Sequence, residues 1–149
     1  MSEESRVGYK KTKLGWIPEE WQTSTIKLCS VKITDGEHIT PIRSSKGFYL
    51  LSARNIRDGY VSLNAVDYVA KDEYDRIRKR CNPEPGDIFV SCSGSIGRSA
   101  IVSDGLDCVL VRSVALVKPD FTKIASEFLM YSIQSFYIQK QIQRSLNQG

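Results

Sequence analysis

Glycine and proline divide this chain of 149 residues into two unlike parts. Before residue 120, turn signals such as Thr34-Asp35-Gly36, Asp58-Gly59 and Pro85-Gly86 recur between short apolar runs, a pattern typical of β-strands. Residues 121–146 contain neither glycine nor proline, and their apolar side chains recur at roughly helical spacing: Ile124, Phe128, Tyr131, Phe136, Ile138 and Ile142. Strands followed by helices predict an α+β protein rather than a wound βαβ sheet.

Six stretches of the first part are predicted to be strands. They are residues 26–33, 48–51, 60–63, 88–92, 100–102 and 108–117. Residues 71–80 alternate acids and bases, with Tyr74 and Ile77 three apart, which predicts a short surface helix that Asn82-Pro83 ends. The C-terminal part fits either one long helix or a helical hairpin broken near Ser135.

The length indicates a single domain, in which we distinguish three parts. Residues 1–21 are a polar, lysine-rich N-terminal arm, where Trp16 and Trp21 flank Pro18 in a pattern typical of an arm fastened to a core. Residues 22–119 form the β-rich core, and residues 120–146 form the helical end.

The composition is that of a globular protein. Hydrophobic residues make up 41% of the chain and charged residues 26%, which excludes disordered and collagen-like classes. No window approaches the ~20 apolar residues of a membrane span, and the start MSEESR lacks an apolar signal core, so we expect a cytoplasmic protein without a membrane partner. The net charge of +4 suits an acidic partner without requiring one.

The cysteines do not indicate a metal site. Cys29, Cys81, Cys92 and Cys108 show no C-x-x-C pairing, and His38 is the single histidine. A zinc site needs ligands at short, regular spacing, so we expect no metal. Cys92 and Cys108 lie in strand-like apolar surroundings and are predicted to be small buried hydrophobic residues.

No motif supports catalysis. A phosphate-binding loop joins a strand to a helix, whereas Gly94-Ser95-Ile96-Gly97 joins two predicted strands, and a methyltransferase tetrapeptide of the Asn-Pro-Pro-Tyr type is absent. Asp35, Glu37 and His38 could be drawn as an acid–base group, but nothing indicates the buried pocket that such chemistry needs. We therefore expect a protein that is not an enzyme and binds no cofactor.

Three polar loops carry side chains of the kinds that contact nucleic acids. The first loop, residues 35–46, contains Asp35, Glu37, His38, Thr40, Arg43 and Lys46; the second, residues 52–59, contains Arg54, Asn55 and Arg57; the third, residues 91–98, contains Ser93, Ser95 and Arg98. Arginine and asparagine match the edges of guanine and adenine, and hydroxyl and guanidinium groups suit phosphates.

Each of these features has a plainer alternative. The first loop fits an ordinary solvated surface, Arg57 and Asp58 fit a surface ion pair, and the third loop fits a tight turn that closes the β core. The basic run at residues 76–80 follows several acids and fits a solvated helix face.

Five stretches in order resemble one family. They are LGWIPEEW (14–21), DGEHITP (35–41), SARNI (52–56), PGDIFV (85–90) and GSIGRSAIV (94–102). Together they resemble a target recognition domain of the specificity subunit of type I restriction-modification systems. The ordered set covers essentially the whole chain and is far more specific than any one member.

The resemblance implies a curved, mostly antiparallel β core with a C-terminal helical hairpin. It also implies a non-catalytic protein that reads one half of a bipartite target in double-stranded DNA, with all twelve of the loop residues named above as candidates for DNA contact. Its partners would be the methyltransferase (modification) subunits and, through them, the restriction subunit. The chain is expected to lack the spacer helices and second recognition domain of a full subunit, and to form a homodimer if it is a natural half subunit. The alternative is a protein-interaction scaffold whose DNA contact is weak or lost.

Overall fold

The computed structural model describes residues 5–148 and has strands and helices in the expected order. The strands are β1 (Tyr9–Thr12), β2 (Gly15–Pro18), β3 (Ser30–Asp35), β4 (Arg43–Ser44), β5 (Phe48–Leu51), β6 (Ile56–Arg57), β7 (Tyr60–Val61), β8 (Asp67–Val69), β9 (Ile88–Ser91), β10 (Ser99–Ile101), β11 (Cys108–Leu110) and β12 (Val114–Pro119). The helices are α1 (Lys71–Arg78), α2 (Ser126–Gln134) and α3 (Phe136–Asn147), and a 3₁₀ turn spans Ala53–Asn55. The predicted α+β class is confirmed.

Two four-stranded sheets form the centre of the molecule. One has the strand order β10-β9-β12-β3 and is antiparallel throughout. The other has the order β11-β5-β8-β4, and its β11–β5 pair is parallel. The chain also forms two separate antiparallel ribbons of two strands each, β1–β2 and β6–β7. The expectation of mostly antiparallel strands therefore agrees with the described pairings.

The two sheets pack against each other around a shared core. One helix covers the outer face of each sheet. Leu51 of β5 and Phe89 of β9 are both fully buried in the same cluster between the sheets. On the outer face of the first sheet, Ile88 packs with Leu129 of α2; the second sheet has a corresponding cluster that includes Ile77 of α1. Successive residues of a strand point to opposite faces of its sheet, so β9 has apolar side chains on both of its faces.

One predicted strand is wrong. Residues 108–117 form two strands instead of one, since β11 joins the sheet of β5 and β12 joins the sheet of β9. A turn between them, in which the Val114 amide donates to the Val111 carbonyl at 3.1 Å, carries the chain from one sheet to the other. The apolar run did not reveal this switch because both of its halves contribute to the same core.

Some predicted boundaries are also corrected. The strand expected at residues 26–33 begins only at Ser30, and the one expected at 60–63 ends at Val61. Cys108 is buried as predicted, but Cys92 is exposed because it follows the last residue of β9 and begins the turn of the third loop.

Ser135 separates α2 from α3 and thereby selects the helical pair over one long helix. Its backbone is extended (φ −66°, ψ 153°), which ends α2, and its hydroxyl accepts a hydrogen bond from the Ile138 amide in the first turn of α3. The inner side of α2 is buried against the first sheet, whereas α3 contains no fully buried residue.

Within the N-terminal arm, β1 and β2 form a β-hairpin. The first four residues of the arm lie outside the described part of the chain. The Trp21 ring that follows the hairpin lies edge-on to Phe128 of α2, with ring centroids 6.3 Å apart. The end of the arm is thus in aromatic contact with helix α2 through Trp21 alone of the two tryptophans.

Gly97 and Gly94 allow a matched test of how α3 holds the third loop. Both have positive φ, +90° and +61°, but a Cβ at Gly97 would lie 2.9 Å from Oε1 of Gln139 in α3, whereas one at Gly94 would enter open space. We expect Gly97→Ala to lower the free energy of unfolding more than Gly94→Ala, by on the order of 1 kcal/mol, because only Gly97→Ala displaces the Gln139 amide. Urea denaturation measures both; equal losses would contradict this dependence.

Candidate nucleic-acid interface

The first polar loop is held in place by helix α1. Oε2 of Glu37 accepts a hydrogen bond from Arg76 (3.2 Å), and Oε2 of Glu73 accepts one from the Ile42 amide (2.7 Å). Arg80 donates to the backbone carbonyls of Asp35 and Gly36. The basic run of α1, expected to be a solvated face, therefore shapes the loop.

Two carboxylates of this region have lowered pKa values. Hydrogen bonds from Arg76 and the Ile42 amide hold the pKa of Glu73 below its ordinary value. Burial raises the pKa of Asp35, but hydrogen bonds with His38 and Arg80 together lower this pKa by more than burial raises it. The pKa of Asp35 therefore lies below its ordinary value. Nε2 of His38 lies 2.7 Å from Oδ2 of Asp35, and both side chains remain partly exposed. Asp35 therefore orients the imidazole at the surface.

Arg43 of the first loop and Arg54 of the second meet at Asp67. Nε of Arg43 lies 2.9 Å from one Asp67 oxygen, and Nη2 of Arg54 lies 3.3 Å from the other. About half of each arginine side chain is exposed, at 48% and 55%. Asp67, which lies at the start of β8, is not among the residues predicted from the sequence, because no local pattern connects it to either arginine.

Asn55 was predicted to contact DNA, and its position contradicts this. The residue is 2% exposed, and its amide donates to the carbonyls of Ser62 (3.0 Å) and Ala65 (3.3 Å) and accepts from the Ser52 amide (2.9 Å). Because all of this hydrogen bonding is internal, the side chain shapes the second loop and cannot reach a base.

A shallow groove separates the second and third loops. Its volume is about 310 Å³, and it is lined by Ser52, Ala53, Arg54, Ser93, Gly94, Ser95, Arg98 and Ser113. Nη2 of Arg98 donates to the Ala53 carbonyl at 3.5 Å, which links the two walls. Nε of Arg98 is buried and has no hydrogen-bond partner among the described residues. The fold therefore brings together four predicted site residues: Arg54, Ser93, Ser95 and Arg98.

The third loop has an inner structural part and an outer exposed part. The buried Ser91 hydroxyl accepts from the Arg98 amide (3.0 Å) and donates to the Ser95 carbonyl (2.6 Å), which closes the turn. Gly97 packs against α3, while the side chains of Ser93 and Ser95 face solvent. The tight turn that the sequence offered as one interpretation therefore describes the inner part of the loop, while DNA contact by Ser93 and Ser95 stays a prediction.

The other candidate residues lie on the surface. Thr40 and Lys46 are exposed in the first loop, and Arg57 is exposed on β6. The sequence suggested a surface ion pair between Arg57 and Asp58. In the structure, Oδ1 of Asp58 instead accepts a hydrogen bond from the Ser99 amide at 3.1 Å. None of the residues that line the groove belongs to the first loop or to β6.

Within residues 5–148, no three His, Cys, Asp or Glu side chains come together in a group that could hold a metal ion. None of the helices described there has both the length and the apolar composition that crossing a membrane requires.

These features define a class: a small α+β protein that presents a groove rich in hydroxyl and guanidinium groups beside an ordered polar loop. No protein-family model matches the chain. The type I restriction enzyme EcoBI specificity subunit of Escherichia coli is 31% identical over 121 residues, covering 76% of this chain and 24% of that protein. A putative type I restriction enzyme MjaX specificity subunit of Methanocaldococcus jannaschii is 28% identical over 153 residues, covering 94% of this chain and 36% of that protein.

The chain is therefore a homologue of type I restriction enzyme specificity subunits, which confirms the resemblance read from the sequence. It spans only 24% and 36% of the lengths of these two relatives.

The lowered pKa of Glu73 predicts that its carboxylate, which binds the Ile42 amide of the first loop, contributes less stability at acidic pH. Because the folded pKa lies below the ordinary value of 4.5, this carboxylate stabilises the fold above that value, and the contribution is lost as the pH falls through the folded pKa. Glu73→Gln should therefore be less stable than the wild type near neutral pH and lose less stability on acidification. Urea denaturation across this pH range measures both curves, and parallel curves would contradict the assignment.

Proposed function

We propose that this chain is a sequence-reading DNA-binding domain, which acts as a target recognition domain for one half of a bipartite double-stranded target of a type I restriction-modification complex. The observation that carries the proposal is the meeting of Arg43 and Arg54 at Asp67, with Arg54 also lining the groove. Two arginines from different loops are thereby held close together at the surface. Homology to specificity subunits supports the same function.

Arg43 and Arg54 are the proposed base readers. A guanidinium donates two parallel hydrogen bonds to O6 and N7 of guanine, the commonest specific contact in the major groove. Asp67 limits the rotamer freedom of both side chains before DNA arrives, which lowers the entropic cost of binding.

The remaining candidates have different proposed roles. Asp35, His38 and Thr40 supply further donors and acceptors for base edges, whereas Glu37, bonded to Arg76 and the Ile39 amide, positions the loop. The sugar-phosphate backbone is contacted by short hydroxyl groups and cations that need no base-specific geometry: Ser93, Ser95, Arg98, Lys46 and Arg57.

The chain is proposed to work as a non-catalytic component. Methyltransferase (modification) subunits, and through them the restriction subunit, would supply the chemistry, and the complex would act in the cytoplasm. A chain that is a natural half subunit would read a two-part target as a homodimer, because each copy reads one half. Support for the non-catalytic role comes from the relatives, which are named as specificity subunits.

A protein-interaction scaffold is the second candidate function. It is favoured by the exposed aromatic side chains of α3, where Phe136 is 73% and Tyr137 49% exposed. Salt dependence separates the two functions. Contacts to phosphates release counterions, so the affinity of a DNA-binding domain for duplex DNA falls steeply with salt, whereas a scaffold has no such duplex binding to lose.

The base-reading assignment is tested by comparing Arg54→Ala with Arg98→Ala. A preferred half-site would first be selected from a random duplex library at low ionic strength, with the chain displayed at high density. Arg54→Ala should cost ~1 to 3 kcal/mol on that site and relax the preference at one base pair, because it removes a bidentate contact. Arg98→Ala should weaken all duplexes alike and lower the slope of log affinity against log salt by ~1.

Circular dichroism and thermal unfolding must first show that both variants fold, because Arg98 also bonds the Ala53 carbonyl. If Arg54→Ala leaves both affinity and mismatch discrimination unchanged, Arg54 does not read a base. If selection from the library enriches no sequence, the proposed function itself is wrong.

The chain alone should bind duplex DNA weakly. With a net charge of +4 and few phosphate contacts, we expect dissociation constants of ~10⁻⁴ to 10⁻⁶ M near physiological salt. Fluorescence anisotropy with a labelled duplex measures this constant. Nanomolar binding by the isolated chain would show that partner subunits are not needed for tight recognition.

A further inference from the structure

The surplus positive charge of the chain lies in two segments far apart in sequence. Residues 19–127 carry fifteen lysines and arginines and fifteen aspartates and glutamates, so this part is neutral. Residues 5–18 contain four basic residues and residues 128–148 contain two, and neither segment contains an acid. The remaining two acids, Glu3 and Glu4, lie outside the described residues. The three polar loops therefore belong to a part of the chain that has no net charge.

The fold brings these two basic segments together. The turn of the β1–β2 hairpin lies beside the start of α3, where a Cβ at Gly15 would be 3.6 Å from the Tyr137 hydroxyl. Between hairpin and helix is a slot of about 380 Å³, which we call the cationic slot; its principal lining residues are Lys13, Phe136, Tyr137, Lys140 and Arg144.

The cations of the slot are free to take an anion. Lys13, Lys140 and Arg144 form no ion pair with any carboxylate in residues 5–148. Nζ of Lys140 lies 5.5 Å from the centroid of the Phe136 ring, a cation–π contact that leaves the ammonium group able to donate hydrogen bonds. This contrasts with Arg43, Arg54, Arg76 and Arg80 around the polar loops, each of which is bonded to a carboxylate.

Helix α3 contacts both the cationic slot and the third loop. Gln139 of α3 donates to the Gly97 carbonyl at 2.9 Å and so contacts the third loop, whereas Lys140 and Arg144 line the slot. Duplex DNA carries one charge per ~1.7 Å of its axis, so a duplex bound at the third loop presents further phosphates beyond it.

We infer that the cationic slot binds the sugar-phosphate backbone of the duplex, outside the bases that the groove and the first loop read. This inference rests on the proposed function. The slot supplies affinity without sequence information, because ammonium and guanidinium groups contact phosphates alike beside any base pair. An acidic protein segment is the competing occupant. The duplex is favoured because α3, which lines the slot, also contacts the third loop, whose Ser93, Ser95 and Arg98 are proposed to contact the DNA backbone.

The test compares two double variants with equal loss of charge. Lys13→Gln with Lys140→Gln removes two cations of the slot, and Lys27→Gln with Lys79→Gln removes two exposed lysines elsewhere. Anisotropy against a labelled duplex over a range of salt gives the slope of log affinity. We expect the slot variant to lower the slope by about 2 and the control variant to leave it nearly unchanged, because each lost phosphate contact changes the slope by ~0.9.

The outcomes separate this inference from the proposed function. The slot variant should lose affinity for the selected half-site and for unrelated duplexes alike, while its preference between them stays that of the wild type. Equal slope changes in both variants would show an effect of net charge alone and overturn the inference. Unchanged duplex binding together with lost binding of an acidic peptide, such as polyglutamate, would assign the slot to a protein. If the wild-type chain binds no duplex at all, the proposed function fails.

Discussion

The fold depends on the burial of both faces of its two main sheets. Neighbouring residues of one strand, such as Ile88 and Phe89 of β9, point in opposite directions and are both fully buried. Phe89 lies in the core shared by the sheets, and Ile88 packs under α2. Leu51 and Leu50 do the same on the other sheet, toward the shared core and α1. Because β5 and β9 are fixed from two sides, the second and third polar loops, which follow them, leave from rigid ends.

Buried polar groups transfer this rigidity to the loops. Glu73 holds the first loop through the Ile42 amide, Asn55 holds the second, and Ser91 closes the third. A buried polar group without a partner is costly, so these bonds restrict each loop to few conformations. In the turn before β9, Lys118 does the same by pairing with Asp87 and Glu84.

The charges of the molecule are divided between two kinds of surface. Around the first loop and Asp67, most cations and carboxylates are paired, so side chains such as Arg43 and Arg54 contribute direction more than net charge. The arm and α3 carry the surplus charge without such pairs at Lys13, Lys140 and Arg144. In the functions proposed here, Arg43 and Arg54 read bases, and the cationic slot adds phosphate contacts to those of the polar loops, so part of the affinity lies apart from the base readers.

The sequence by itself determined the local structure of this protein. Turn residues and apolar periodicity identified β3, β5, β7, β9 and β10, helix α1, the helical end and the three polar loops, because those signals depend on neighbours in the chain, but they did not identify β1, β2, β4, β6 or β8. The tertiary structure alone decided that Asn55 points inward, that Arg43 and Arg54 share Asp67, and that residues 108–117 divide between two sheets. It also decided that the arm meets α3. These features depend on which faces pack together, and the spacing of residues along a chain carries no information about contacts between segments far apart.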